Sequence, residues 1–157
     1  MGGIVPNKLF REKASVRVTS LCTEKIPENL IVRESRFLKY QPSKKKLSNH
    51  NKTLIPILEN DENSLCIELP VWCEKMFYEG KWMAVTGHID LLQYCDEDKK
   101  VYIWDYKPDY TPGKPHIVYE QVKFYKFLLS QLVFLEPKNI VCGWFNDQNE
   151  FIVKDYE

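Results

Sequence analysis

The sequence predicts an α+β fold, in which one β-sheet is covered on its faces by helices. Strand-like segments rich in Ile, Val, Tyr and Trp follow one another over residues 64–108, a helix-like segment follows over 116–134, and two further strand-like segments come after it. The 157 residues suffice for one domain with one hydrophobic core. We therefore expect a single domain over residues 1–157, with a helical or loop part over 1–60 and the chemically informative core over 64–157.

The first sixty residues give the weakest signals of secondary structure. Residues 7–21 fit either a helix or a strand, and residues 29–40 predict a helix with a strand-like start. Residues 41–53 are polar and predict a loop.

From residue 64 onward the pattern becomes clear. Residues 64–78 predict a strand that Pro70 interrupts, which places this strand near a sheet edge. Gly80 and Lys81 mark a turn, and the loop over 110–115 is rich in Pro and Gly. The remaining predicted elements are strands over 82–94, 101–108, 139–146 and 150–156, and the helix over 116–134.

The strands over 82–94 and 101–108 carry charges in their middle. If Cys95 pairs with Lys100 across the four-residue loop, Asp90 stands opposite Asp105, and Lys107 projects from the same face as Asp105. Residues directly opposed in a sheet have Cβ atoms about 4.5–5.5 Å apart, so two aspartates there repel each other unless a cation lies between them.

Two neighbouring carboxylates are hard oxygen ligands, which suit Mg²⁺ or Mn²⁺ better than a soft metal. A metal-held water and a lysine beside it can cleave a phosphodiester bond. The alternative is structural: Asp90 caps a bend, and Lys107 pairs with Asp105 on a solvated sheet face.

The helix over 116–134 places a glutamine in its apolar face. Gln121 and Tyr125 lie one turn apart on that face, where a glutamine is unfavourable unless it has hydrogen-bonding partners. The two side chains together could orient Lys107 or contact a DNA backbone. Alternatively, Gln121 is buried and bonded to backbone groups.

Composition narrows the class of protein. The net charge is zero and the pI about 6.8, so the chain lacks the overall basic character of many nucleic-acid-binding proteins, although a local basic patch is compatible with this balance. Five cysteines without a C-x-x-C pair argue against a disulfide framework and a tetrahedral zinc site, and predict free thiols in a reducing, cytoplasmic environment. No segment approaches the ~20 apolar residues that a membrane span needs, and we expect no membrane partner.

Three short motifs resemble those of a known family. GHID (87–90), WDYK (104–107) and QVKFY (121–125) resemble the G-x-x-D, (D/E)-x-K and Q-x-x-x-Y motifs of the RecB-like branch of the PD-(D/E)XK nuclease superfamily. This branch includes the RecB nuclease domain, lambda exonuclease and the CRISPR-associated RecB-like exonucleases. The order of the motifs and their strand–strand–helix context agree over about residues 64–132.

The resemblance implies a restriction-endonuclease-like core, with a central mixed sheet flanked by helices. It also implies a Mg²⁺- or Mn²⁺-dependent DNA nuclease, exonuclease-like, that hydrolyses linear single- or double-stranded DNA in repair, recombination or replication. The alternative is a catalytically inactive nuclease fold that serves as a DNA-binding or assembly subunit. The chain has no G-x-x-x-x-G-K-[ST] loop, so a partner helicase, or a partner recombination protein, would be a separate chain.

The resemblance also assigns roles to residues. Asp90 and Asp105 would ligate the metal, together with the backbone carbonyl of Tyr106, and Lys107 would be the catalytic lysine. Gln121 and Tyr125 would position the DNA strand. An upstream metal ligand would be His50, with Glu68 or Glu34 as alternatives. Only Cys142 follows the Q-x-x-x-Y segment, so we predict no iron–sulfur cluster.

Overall fold

A computed structural model of the chain describes residues 15–40 and 50–154. Within these residues seven strands form one mixed sheet with helices packed against it, which confirms the predicted α+β class. The strands are β1 (Ser15–Arg17), β2 (Leu30–Glu34), β3 (Ser64–Tyr78), β4 (Lys81–Cys95), β5 (Lys100–Tyr106), β6 (Ile140–Phe145) and β7 (Asn149–Val153). The helices are α1 (Val18–Leu21), α2 (His50–Asn60) and α3 (Val118–Val133), with short 3₁₀ helices at Arg36–Tyr40 and Pro137–Asn139.

The strand order is β1-β4-β5-β6-β7-β2, and β3 pairs with the other edge of β4. The β1–β4 and β5–β6 pairs are parallel and the others antiparallel. Helix α3 connects β5 to β6, because two adjacent parallel strands need a crossover between them. This connection holds α3 against the sheet beside the end of β5.

Two apolar clusters cover the two faces of the sheet. Neighbouring residues of one strand, such as Ile103 and Trp104, belong to different clusters because side chains alternate along a strand. The α3 face buries Val118, Val122 and Leu128 with Val71, Ile103 and Trp144. The α2 face buries Leu54 and Ile57 with Phe37, Trp104, Tyr106 and Phe145.

Strand β3 pairs with β4 alone among the described residues, so the predicted sheet-edge position is confirmed. The predicted interruption at Pro70 is wrong, because the strand runs unbroken from Ser64 to Tyr78. Proline has no N–H group to donate to a neighbouring strand. It is tolerated in β3 because one side of an edge strand has no neighbouring strand that would need this hydrogen bond.

The N-terminal part differs most from the prediction. It contributes β1 and β2 to the sheet, so a helical or loop description of residues 1–60 is incomplete. The helix predicted over 29–40 is a strand followed by a 3₁₀ helix, because β2 pairs with β7. Of the loop predicted over 41–53, residues 41–49 lie outside the described residues and 50–53 are helical.

The structure also bears on two expectations from composition. All five cysteines carry free thiols. No helix among the described residues combines the length and the hydrophobicity that crossing a membrane requires.

Candidate active site

A gap along one edge of β4 forms the candidate site. Since β3 occupies one edge of β4, β1 and β5 share the other, where β1 pairs with Ala84–Thr86 and β5 with Leu91–Cys95. Residues 87–90 lie between these two ladders. A cleft of about 370 Å³ opens there, and the side chains of all three motifs line it.

The two aspartates lie side by side at the point where the β4–β5 ladder ends. The predicted register is confirmed from the Cys95–Lys100 pair to the Leu92–Ile103 pair, and the ladder stops one pair later. Asp90 Oδ2 then accepts a hydrogen bond from the backbone N–H of Tyr106, at 2.8 Å. The Asp90 side chain therefore takes the place of a β4 backbone carbonyl as the acceptor for the Tyr106 N–H.

The carboxyl groups of Asp90 and Asp105 lie close enough for each to affect the pKa of the other, and the two residues are only 7% and 2% exposed. Burial, followed by the charge of Asp90, raises the pKa of Asp105 well above its ordinary value. Burial also acts to raise the pKa of Asp90, but hydrogen bonds from His50, Asp105 and Tyr106 outweigh it and hold that pKa below its ordinary value. Asp105 is therefore the weaker acid of the two.

Lys107 reaches the same pair of acids. Its Nζ lies 3.2 Å from Asp105 Oδ2, and its own backbone N–H donates to the carbonyl of Phe145 on β6. Asp105 Oδ2 is buried and has no well-aligned hydrogen bond from any described residue, although this ammonium group lies near it. The oxygen therefore remains available as an acceptor beside a cation.

His50, the predicted upstream ligand, also lies at the site. It is the first residue of α2, and its Nδ1 is 3.3 Å from Asp90 Oδ2. Its ring packs edge-on against the Tyr106 ring, with the centroids 5.3 Å apart. The hydrogen bond with Asp90 raises the pKa of His50, against the opposing effect of partial burial.

Glu68 joins this group through an unusual backbone conformation. By the β3–β4 register it falls opposite Asp90, and its φ of 53° is left-handed, which is rare for a glutamate within a strand. Ligand atoms of His50, Glu68 and Asp90 all lie within 4.8 Å of one another. Burial and the charge of Asp90 raise the pKa of Glu68. Three of the four acids that the sequence suggested as metal ligands therefore lie at this site: Asp90, Asp105 and Glu68.

Glu34, the remaining alternative ligand, lies elsewhere. It pairs with Asn149 on β2, and four strand spacings separate β2 from β4, about 19 Å at ~4.8 Å each. The structure therefore does not bring Glu34 to the site.

Gln121 and Tyr125 face the cleft from α3. Gln121 Nε2 donates to the Tyr125 hydroxyl at 2.9 Å. Both side chains are buried, and Gln121 Oε1 has no hydrogen-bond donor among the described residues. A buried, unpartnered amide oxygen is unfavourable by about 1–3 kcal/mol, so a donor from a ligand or water fits there.

Strand β1 and helix α1 supply residues that the sequence did not indicate. Arg17 of β1 and Thr19 of α1 line the cleft, and Arg17 adds a second cation to it. No motif marks them, because their place follows only from the pairing of β1 with β4.

Gly87, the first residue of the GHID motif, is required by packing. A Cβ atom at this position would lie 2.5 Å from Cε1 of Tyr125 and 3.1 Å from Cγ2 of Val18. The glycine therefore lets the Tyr125 ring of α3 lie directly against β4.

We expect Gly87→Ala to lower the free energy of unfolding by about 1–3 kcal/mol, because an added methyl group overpacks this contact. Urea unfolding of the variant measures the change. In a Tyr125→Leu background the same substitution should lower the stability clearly less, since the clashing ring is gone. Equal losses in the two backgrounds would contradict the packing explanation.

Comparisons with known proteins bear on the family. The family described as the PD-(D/E)XK nuclease superfamily matches residues 11–155. No curated protein sequence matches the chain. Among solved structures, the one titled "Crystal structure of SSO0001" is similar with a TM-score of 0.49 and 13% identity, covering 94% of this chain and 70% of that one.

Proposed function

The chain belongs to the PD-(D/E)XK nuclease superfamily, and we propose that it is a divalent-metal-dependent nuclease that hydrolyses phosphodiester bonds in DNA. The predicted resemblance is confirmed at the level of the superfamily, and the mixed sheet flanked by helices is its restriction-endonuclease-like core. The RecB-like branch and the exonuclease-like mode of action stay predictions. The observation that carries the proposal is the buried Asp90–Asp105 pair with Lys107 beside it.

The donors at the site fit a hard divalent cation. Asp90 and Asp105 offer carboxylate oxygens, and the backbone carbonyl of Tyr106 is the third proposed ligand on these two strands. His50 and Glu68 approach Asp90 from α2 and β3. A set of oxygen donors with one imidazole suits Mn²⁺ or Mg²⁺. A bound ion would lower the pKa of a coordinated water and stabilise charge on the scissile phosphate.

The remaining residues would bind and orient the substrate. Lys107 would hold its ammonium group against a phosphate oxygen or the attacking water, because its Nζ already lies beside Asp105. Tyr125 and Gln121 would position the DNA strand, with Gln121 Oε1 accepting from a donor on the substrate. Arg17, which also lines the cleft, would contact a neighbouring phosphate.

The proposal is tested by digesting linear duplex, circular duplex and single-stranded DNA with Mn²⁺, with Mg²⁺ and with EDTA. We expect cleavage only with a divalent metal, and cleavage of linear but not circular DNA if the enzyme is an exonuclease. Metal binding is followed in parallel by calorimetry. If bound Mn²⁺ is demonstrated and all three substrates stay intact, the proposal is wrong and the inactive DNA-binding or assembly subunit takes its place.

A further inference from the structure

A second concavity lies between β6 and β7. The ladder between these strands ends at the Gly143–Ile152 pair, so Cys142 of β6 and Val153 of β7, which would form the next pair, are not paired with each other. A groove of about 690 Å³ opens at this point, and Val141, Ile152 and Val153 lie among the residues that line it.

This groove is strongly cationic in a chain whose net charge is zero. We call it the cationic groove; its charged residues are Arg33, Lys100, Lys126, Lys138 and Lys154. No acidic residue of the described chain lines it, whereas the candidate active site contains Asp90 and Asp105. A concentration of one sign of charge in a concave surface attracts a ligand of the opposite sign.

A buried carboxylate fixes one end of the groove. Glu150 is fully buried, and its two oxygens contact Arg33 Nε at 2.7 Å and Arg36 Nε at 3.2 Å. Both arginine side chains are about half exposed, so they are held in place while they face solvent. Arg33 and Tyr102 also line an adjoining cavity of about 300 Å³, which contains Arg36 and Lys39 but also Asp61, Glu97 and Asp98. The uniformly positive surface is therefore confined to the groove.

The groove lies at the opposite end of the sheet from the candidate active site. Lys100 begins β5 and Asp105 comes five residues later, which corresponds to about 17 Å along an extended strand. One strand of nucleic acid carries a phosphate about every 3.4 Å along a duplex, so about five nucleotides span this distance.

We propose that the cationic groove binds the phosphodiester backbone of a nucleic acid whose cleavage site lies in the cleft at the other end of β5. The inference rests on the proposed nuclease function, since that function supplies a polyanion to this chain. Lysines spread over three elements contact a backbone without reading bases, so the groove contributes affinity without sequence preference. The groove binds a part of the nucleic acid that lies away from the bond to be cleaved.

The test compares two double variants of the full chain. Lys138→Gln with Lys154→Gln removes two charges from the groove, whereas Lys75→Gln with Lys81→Gln removes two exposed charges from β3 and β4 outside it. DNA binding is measured in EDTA, where no cleavage occurs, with labelled strands of about twenty nucleotides between about 50 and 200 mM salt. Thermal melting of each variant shows that it is folded.

We expect the groove variant to lower the slope of log K against log[salt] by about 1.4 for single strands and about 1.8 for duplex, and to weaken binding by roughly 10- to 30-fold. The control variant should match the wild type. In cleavage assays KM should rise while kcat stays unchanged, because the lost contacts act equally on ground state and transition state.

Failure of this inference is distinguishable from failure of the proposed function. Cleavage by the wild type, with equal salt slopes in the groove and control variants, would overturn the groove inference alone. A loss of binding in the groove variant without any cleavage by the wild type would support the groove and reject the nuclease. If the groove variant loses binding to polyglutamate and keeps binding to DNA, the groove takes an acidic protein and the inference is wrong.

Discussion

Asp105→Asn is expected to abolish the stabilisation that Mn²⁺ gives to the protein and to reduce cleavage roughly 10³-fold. Asp105 is 2% exposed, and burial together with the charge of Asp90 raises its pKa well above the ordinary value, so a negative charge at this position is unfavourable without a metal. An asparagine has nearly the same shape and carries no charge. The free energy of unfolding without metal should therefore stay within about 1 kcal/mol of the wild type or rise.

With metal, the free energies of unfolding of the wild type and Asp105→Asn should differ strongly. A ligand at 100 times its Kd stabilises the folded state by about 2.7 kcal/mol, and this gain should be present in the wild type and absent in Asp105→Asn. Urea unfolding with and without Mn²⁺ measures both quantities. Glu34→Gln is the control, because Glu34 lies on β2 away from the site and its loss should leave the metal effect intact.

The outcome that contradicts a metal site is equally specific. If Asp105 and Lys107 merely form a structural ion pair, Asp105→Asn should leave the effect of Mn²⁺ unchanged. Breaking a buried ion pair also destabilises a protein by about 3–5 kcal/mol. Without metal, Asp105→Asn would then be much less stable than the wild type. The two explanations therefore predict different results for both measurements.

The central strands were predictable because their register depends on local features. A short loop fixes which residues pair as far as Leu91 and Trp104, and this brings the next residues along, Asp90 and Asp105, to the same end of the ladder. The helix that carries Gln121 follows from its own apolar face. These residues therefore come together through rules that act over a few positions of the chain.

The other walls of the site depend on contacts between distant segments. Helix α2 was missed because its polar start and Pro56 oppose a helix, whereas burial of Leu54 and Ile57 against the sheet favours it. The prediction of His50 came from the family resemblance, and its position at the site follows from this helix.

Glu68 shows a second limit of sequence patterns. Period-two alternation assumes that every residue of a strand has extended backbone angles, but Glu68 is left-handed at the position opposite Asp90. Backbone strain of this kind costs about 1–3 kcal/mol and is concentrated at functional sites. No residue type in SLCIELP marks the position, so only the structure shows that the carboxylate lies with Asp90 and His50.

Lys107→Met is expected to separate metal binding from chemistry. The substitution keeps the length of the side chain and removes a charge that ligates no metal, so stabilisation by Mn²⁺ should persist. Cleavage at saturating DNA should fall by about 10²–10⁴-fold, because a group that assists proton transfer or stabilises charge in the transition state is lost. Single-turnover cleavage measures the loss, and Lys114→Met, which changes an exposed lysine of the following loop, is the matched control.

Loss of metal binding together with cleavage would instead show that Lys107 acts by holding Asp105 in place, and unchanged cleavage would remove it from the mechanism. Because Nζ lies 3.2 Å from Asp105 Oδ2 and still reaches the cleft, we expect the first result.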